Sequence, residues 1–296
     1  MRLAREIHRM DQRLADLLKL LELEQLEVNL FRGESRDTGA PQVFGGQVLG
    51  QALSAAAATV EGRTVHSLHA YFLRRGDCNS PIVYEVDRSL DGHSFANRRV
   101  VAIQHGAQIF NMTASFQVAE SGFEHQSDMP RVPTPEQLAS SVGPTPEVLA
   151  QLPERVRRFF ELPRPFEFRL VQQTNYLQPQ REAPLRQIWL RAVAALPDDE
   201  MLHRRLLAYV SDFFLLDTAN LPHGTSPLRP GVLMATIDHA MWFHRTLRVD
   251  DWLLYDMESP SASGARGFAR ARVFARDGRL VASAAQEGLI RPKKDA

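Results

Sequence analysis

The sequence predicts an α+β fold made of two tandem copies of one unit, in which a curved antiparallel sheet wraps around a central helix. One observation is an order of elements that occurs twice, a buried apolar helix followed by strand-like segments. A second is a set of matches at nearly constant spacing. HAYFLRR (His69–Arg75) matches HAMWFHR (His239–Arg245) at an offset of 170, and FANRRV (Phe95–Val100) matches FARARV (Phe268–Val273) at an offset of 173. One copy cannot bury both faces of its sheet, so the two are expected to pair.

Residues 1–118 are predicted to form an N-terminal helix and the first copy. LADLLKLLELEQL (Leu14–Leu26) has apolar residues at helical spacing, and LFRGE (Leu30–Glu34) is typical of a short strand. GGQVLGQALSAAAATV (Gly45–Val60) is apolar nearly all round, so this helix is expected to lie buried at the centre of the sheet. The strand-like segments that follow are TVHSLHAYFL, PIVYEV, FANRRVVAI and AQIFNMTASFQV.

Residues 119–180 have the composition of a linker, with nine of the eighteen prolines of the chain and short helical segments predicted at Pro135–Val142 and Pro146–Glu161.

Residues 181–296 then repeat the order of the first copy. The strand RQIWLRAV precedes the apolar helix MLHRRLLAYVSDFFLLD (Met201–Asp217), and the strand-like segments after it are MATIDHAMWFHR, WLLYDME, RGFARARVFA and RLVASAAQEGLI.

Composition excludes several classes of partner and site. Because 35 basic residues balance 35 acidic ones, nothing favours nucleic acid or an anionic membrane as a partner. No apolar run approaches the ~18 residues of a membrane span, and the chain shows neither a signal h-region nor a peroxisomal or ER address, so we expect a cytoplasmic protein. The one cysteine, Cys78, excludes internal disulfides and thiolate metal clusters, and the histidines lack metal-ligand spacing, so no metal site is predicted.

Seven segments stand in the order found in the acyl-CoA thioesterase II family, which the chain resembles from about Leu17 to Arg291: QVFGGQVLGQAL, HSLHAYFLRRGD, NMTASFQ, YVSDFFLL, ATIDHAMWFHR, SGARGFARARVF and AAQEG. The resemblance implies a double hotdog fold and the hydrolysis of fatty acyl-CoA without a cofactor. It also implies a homo-oligomer, either a dimer or a tetramer. By the matching motifs it implies a water positioned by Asp212 of YVSDFF, Thr236 of ATIDH and Gln286 of AAQEG.

The residue types fit those roles. Asp212 is predicted in the middle of its helix among apolar neighbours, where desolvation raises the pKa of a carboxylate toward the range of a general base. Gln286 stands among small residues, and its amide can donate and accept hydrogen bonds at once, which suits the holding of a water. Without the resemblance, a solvent-facing or capping role for Asp212 and an edge-strand position for Gln286 stay open.

The segment MATIDHAMWFHR carries unusual polarity for a buried strand. Strand alternation is expected to place Thr236 and Asp238 on one face and His239 on the other. Thr236 is assigned to the water, with ordinary β-propensity as the alternative. Asp238, His239 and His244 are expected to make supporting or interface hydrogen bonds, unless they lie at an exposed strand end.

The first copy does not reproduce this set. At offsets of 170 and 171, Thr236 corresponds to His66 and Gln286 to Ser115, which predicts one hydrolytic centre per chain, in the second copy. His69 is an accessory candidate, with a structural histidine as the alternative. His66 and His69 are three apart and are expected on opposite faces, so they are not predicted to share a metal.

Substrate contacts are predicted at two further places. The N-terminus of the helix that begins at Gly45 is a candidate source of oxyanion donors, with Gly46 as an accessory site residue. Four arginines are predicted to meet the phosphates of CoA, the alternative being solvated strand edges: Arg74, Arg75, Arg266 and Arg270.

Two other functions are considered. One is a non-catalytic acyl-CoA-binding sensor, which the presence of Asp212, Thr236 and Gln286 in the matching motifs disfavours. The other is a hotdog enoyl-CoA hydratase, which the spacing between Asp238 and the two histidines His239 and His244 does not fit. A serine-hydrolase route is excluded because the chain has no G-x-S-x-G motif.

Overall fold

The computed structural model describes residues 11–37, 42–139, 149–152, 154, 157, 161–173, 175, 178–226 and 231–292. The helices are α1 (Gln12–Leu21), α2 (Gly45–Ala57) and α3 (Glu200–Ser211), with 3-10 helices at Pro135–Gln137 and Leu216–His223. The first strands are β1 (Glu24–Glu27), β2 (Leu30–Gly33), β3 (Thr64–Phe72), β4 (Ile82–Asp91), β5 (Phe95–Gln104) and β6 (Ala107–Gln117). The later strands are β7 (Phe166–Leu170), β8 (Leu185–Ala192), β9 (Val232–Thr236), β10 (Asp238–Phe243), β11 (Leu253–Ser263), β12 (Arg266–Ala275) and β13 (Leu280–Pro292).

The strands form one antiparallel sheet in the order β1-β2-β4-β5-β6-β3-β10-β13-β12-β11-β8-β7, with β9 paired to β13. Its two halves meet where β3 pairs with β10, with Leu68 opposite Met241. Each half encloses its own central helix, α2 in the first half and α3 in the second. The predicted α+β arrangement of two sheets, each around a central helix, is confirmed.

Helices α2 and α3 lie against each other in the core, with residues of α2 such as Leu49 and Leu53 fully buried. The contact is close because α2 begins with glycines. A Cβ at Gly46 would overlap the backbone oxygen of Tyr209 on α3, so no larger residue fits without movement of a helix. The small-residue composition of α2 therefore brings its N-terminus to the C-terminal end of α3. Within the described ranges, no helix is long and apolar enough to cross a membrane.

Two predicted helices end earlier than expected. Helix α1 stops at Leu21 instead of Leu26, because Glu22 adopts an extended conformation and the next residues form β1, which pairs with β2. Helix α3 stops at Ser211 instead of Asp217, and the chain turns through Phe214, whose φ of 67° is left-handed, before the 3-10 helix starts at Leu216. In the linker, the first helical prediction is a single 3-10 turn, and most of the second lies outside the described residues.

Backbone hydrogen bonds show how the two halves correspond. The N–H of Leu73 donates to the oxygen of Ile109 at 2.8 Å, and that of His244 donates to the oxygen of Val281 at 2.8 Å. These pairs relate β3 to β10 at an offset of 171 and β6 to β13 at an offset of 172, one more in each case than the offset used to align the sequence. Thr236 therefore corresponds to Val65 and not to His66, and Gln286 corresponds to Ala114 and not to Ser115.

A one-residue irregularity separates β9 from β10. Thr236 at the end of β9 lies opposite Gly288, whereas Ala240 in β10 lies opposite Ala285, so the two pairings differ by one residue. Such an extra residue interrupts strand alternation. The prediction that Thr236 and His239 face opposite sides of the sheet is therefore wrong, and both point toward the helix layer.

Candidate active site

Three polar side chains from three elements converge beside the start of helix α2. The amide nitrogen of Gln286, on β13, donates to Oδ1 of Asp212 at 2.7 Å and to Oγ1 of Thr236 at 2.9 Å. An ionised carboxylate can only accept, so the orientation of the amide is fixed by Asp212. The structure thus brings together the three residues to which the family resemblance assigned the water.

Asp212 lies at the C-terminal end of α3 and not in its middle, because the helix ends at Ser211. Its carboxylate faces the N-terminus of α2. There the N–H of Gly46 donates to it, and a Cβ at Gly45 would lie 2.7 Å from Oδ2. Phe44 provides no side-chain cap for α2, so Asp212 supplies from another helix the anion that the helix dipole favours.

Burial nevertheless raises the pKa of Asp212 to about 6, because desolvation outweighs the hydrogen bonds from Gln286 and Gly46 that favour the charged form. A carboxyl group with this pKa is ionised at neutral pH, yet it accepts a proton far more readily than an ordinary aspartate. The side chain therefore has the acidity that a general base needs.

Gln286 contacts the carboxylate and the hydroxyl of the cluster. Both N–H bonds of its buried amide are used by Asp212 and Thr236, and its Oε1 has no hydrogen-bond partner among the described residues. The side chain does not line the neighbouring cavity. Its geometry is that of a clamp, which holds the carboxylate and the hydroxyl at a fixed separation.

A cavity of about 400 Å³ opens onto this cluster from between the two halves of the sheet. Asp212 and Thr236 contribute polar atoms to its wall, and most of the remaining lining is apolar: Val43, Phe44, Val48, Phe72, Leu73, Ile109, Phe110, Leu216, Met234 and Ala235. The first half supplies the α2 side and the second half the acid and the hydroxyl. A concave apolar site with a few convergent polar groups is the usual form of a small-molecule site.

The four predicted arginines separate into two pairs. Arg74 and Arg75 are exposed residues that line the cavity where it reaches solvent. Arg266 and Arg270 do not line it, and each is paired with a carboxylate, Arg266 with Glu287 at 3.0 Å and Arg270 with Glu258 at 2.5 Å. The structure therefore supports a substrate role only for the first pair.

His69 is not part of the cluster. It is exposed on the outer face of the sheet, where its ring packs edge-on against Trp242 with centroids 5.2 Å apart. His66 lies on the same outer face, bonded to Ser115 at 2.8 Å, because a register shift between Val65 and Ser67 reverses strand alternation there. The opposite-face prediction for these two histidines is wrong, and no metal-binding group of three or more residues occurs within the described ranges.

The other polar residues of the predicted strand form supporting hydrogen bonds. Asp238 accepts from the N–H of Glu287 at 2.9 Å, and His244 is bonded to Ser283 at 2.9 Å. His239 is completely buried. Tyr255 is a further buried residue that was not among the predicted site residues. The tyrosine shared by PIVYEV and WLLYDME could have indicated this position.

Comparison with known proteins first gives the class of fold. The chain is similar to a protein with hot dog fold from Alicyclobacillus acidocaldarius, with a TM-score of 0.75 over 94% of this chain and 99% of that one, at 18% identity. It is also similar to an acyl-CoA thioesterase II from Mycobacterium marinum, with a TM-score of 0.79 and 42% identity over 95% of this chain and 100% of that one. The fold is therefore that of a double hotdog, as the resemblance implied.

The family follows from sequence. A model of the acyl-CoA thioesterase N-terminal domain matches residues 34–117, and a model of acyl-CoA thioesterase matches residues 156–289. Acyl-CoA thioesterase 2 of Haemophilus influenzae is 44% identical over 279 residues, which cover 94% of this chain and 98% of that protein. The chain belongs to the acyl-CoA thioesterase II family of thioester hydrolases.

Proposed function

We propose that the protein hydrolyses fatty acyl-CoA to free fatty acid and CoA with a water positioned by Asp212, Thr236 and Gln286. The observation that carries this proposal is the double hydrogen bond from Gln286 to Asp212 and Thr236 at the wall of the cavity. Thr236 accepts from Gln286 through its oxygen, so its own hydroxyl hydrogen is available to a water. That water then donates one hydrogen to the carboxylate of Asp212.

The reaction proceeds from this arrangement. As Asp212 takes a proton from the water, the water oxygen bonds to the carbonyl carbon of the thioester. The C–S bond then breaks, and the CoA sulfur leaves with the proton that Asp212 received, which restores the carboxylate. Because a thiolate is a good leaving group, a positioned water and a base suffice without a covalent acyl-enzyme.

We propose one hydrolytic centre per chain. Val65 and Ala114 occupy the positions of Thr236 and Gln286 in the first half, and both are buried and apolar. A guanidinium nitrogen of Arg204 on α3 donates to the backbone oxygen of Val65. The first half then contributes only cavity walls, including the arginines that would meet CoA phosphates.

The same proposal includes the organisation of the chain. We infer two repeats, 1–118 and 181–296, joined by a linker at 119–180, in a cytoplasmic homo-oligomer of two or four chains. The separate family matches at 34–117 and 156–289 support two repeats, and the second match begins inside the linker range, which also contains β7 of the second half. Light scattering of the purified protein measures the oligomeric state directly.

Two rival functions make different predictions at this site. A non-catalytic sensor has no need of a carboxylate whose pKa burial raises to about 6 beside a hydroxyl. A hydratase pairs its acid with a histidine, whereas Asp212 is bonded to an amide and a backbone N–H. Both observations favour hydrolysis.

The test is the release of free thiol from palmitoyl-CoA by the purified protein, followed with a thiol reagent. Hydrolysis predicts one thiol per thioester consumed. A sensor binds palmitoyl-CoA and releases no thiol, and a hydratase consumes enoyl-CoA without freeing CoA. A series of acyl-CoA lengths at fixed concentration then defines the preferred chain.

A further inference from the structure

Two buried side chains hold the residue that directly precedes Asp212. The hydroxyl of Ser211 donates to the backbone oxygen of Ala208 at 2.9 Å, and Nε2 of His239 lies 3.0 Å from the same hydroxyl oxygen. With the hydroxyl hydrogen on the oxygen of Ala208, Nε2 of His239 is the donor in this contact, and Sδ of Met241 lies 3.2 Å from the same hydroxyl oxygen. Burial lowers the pKa of His239 to about 4, so the ring is neutral at working pH and can keep this tautomer.

The second contact comes from another strand. The phenol of Tyr255 on β11 donates to the backbone oxygen of Ser211 at 2.7 Å, and Tyr255 is almost completely buried. This oxygen is among the last carbonyls of α3, which have no partner within the helix. The end of α3 is thus fixed to β10 through the Ser211 side chain and to β11 through its backbone.

We propose that Tyr255 and His239 are positioning residues that aim the carboxylate of Asp212. The inference rests on the proposed function, since it assigns them to the orientation of that general base. Asp212 follows Ser211 directly and must reach Gln286 and the N–H of Gly46 at the same time. Helix ends fray when their carbonyls are unsatisfied, so the two contacts remove the freedom that would break this double engagement.

The first repeat provides a matched reference for this arrangement. Tyr84 on β4 corresponds to Tyr255 at an offset of 171, the same offset that relates Leu73 to His244, and it is equally buried. Its phenol donates to the side chain of Gln51 at 2.7 Å and not to the end of a helix. A Tyr84→Phe variant therefore removes a hydroxyl that is as buried as that of Tyr255 but that does not bond to the end of α3.

The tyrosines and the histidine near Asp212 have pKa values far from that of Asp212. Two phenols face it, Tyr209 from its own helix and Tyr255 from β11, and burial raises the pKa of Tyr209 to about 12 and that of Tyr255 well above its ordinary value. The pKa of His239 is lower, near 4. The acidic limb of kcat/KM near pH 6 then reports Asp212.

The experiment compares Tyr255→Phe with Tyr84→Phe, measuring kcat, KM and the pH profile with palmitoyl-CoA. We expect Tyr255→Phe to lower kcat roughly tenfold to a hundredfold, the usual effect of a displaced reacting group, with KM within about twofold. Its acidic limb should move to higher pH, because the hydrogen bonds that favour the carboxylate are weakened. Tyr84→Phe should match the wild type in all three.

Equal kinetics and equal pH profiles in the two variants would overturn the inference, whether both are impaired or both are unaffected. Thermal unfolding establishes that each variant is folded, and His239→Gln replaces Tyr255→Phe if the latter is not. Asp212→Asn is measured alongside. An inactive Asp212→Asn with a normal Tyr255→Phe refutes only the positioning role, whereas an active Asp212→Asn refutes the proposed function itself.

Discussion

Replacement of Asp212 by asparagine is expected to stabilise the fold at neutral pH while it removes the base. Burial raises the pKa of Asp212 from 3.8 to about 6. Each pKa unit corresponds to about 1.36 kcal/mol, so ionising this carboxylate in the folded protein opposes folding by about 3 kcal/mol at pH 7. An asparagine avoids that cost. It keeps an acceptor oxygen for Gln286 but loses the one that faces Gly46, so the gain should fall between about 1 and 3 kcal/mol.

The sign of the pH dependence is specific. Since the pKa is raised in the folded state, the stability that the protonated acid contributes is complete below pH 3.8 and is lost as the pH rises through about 6. Urea unfolding of wild type and Asp212→Asn at pH 4, 5.5 and 7.5 measures the difference. The gain should be near zero at pH 4 and largest at pH 7.5. A variant that is less stable at pH 7.5, or a difference independent of pH, would refute the reasoning.

Three further predictions concern the cavity and its wall. With palmitoyl-CoA, kcat/KM should fall about tenfold per pH unit below about 6 as Asp212 becomes protonated, and a rate that stays constant down to pH 5 would contradict this. Gly46→Ala should reduce kcat and lower the free energy of unfolding by about 1–3 kcal/mol, because the added Cβ overlaps α3. Gly122→Ala should change neither quantity, because a Cβ added there has no neighbouring atom within 4 Å. Arg75→Ala should raise KM for acyl-CoA by about tenfold as a charged hydrogen bond is lost, while Arg270→Ala, paired with Glu258, should leave KM unchanged. Equal KM values in these two variants would exclude a phosphate contact at Arg75.

Much of the fold was predictable because its signals are local and strong. The small-residue helix at Gly45, the alternating strands and the repeat spacing all follow from hydrophobic periodicity. The identity of Asp212, Thr236 and Gln286 came from motifs shared with a family. Their convergence from distant parts of the sequence is a tertiary fact that only the sheet register reveals.

The errors in the end of α3 and in the strand faces share a physical cause, since each concerns a local break that does not show in the composition. Apolar residues continue past Ser211 as far as Leu216, so nothing in the sequence indicates that α3 ends at Ser211 or that Phe214 adopts a left-handed conformation without glycine. The irregularities near His66 and after Thr236 reverse strand alternation by one residue each, which inverted the predicted faces.

The measurement that bears most directly on the account is the turnover of Asp212→Asn beside that of Asp238→Asn with palmitoyl-CoA. Burial raises the pKa of both carboxyl groups, but Asp238 bonds the backbone of Glu287 away from the cavity. We expect kcat to fall by about 100-fold or more in Asp212→Asn and to stay within about twofold of wild type in Asp238→Asn. Comparable turnover in the two variants would contradict the role of Asp212 as the general base.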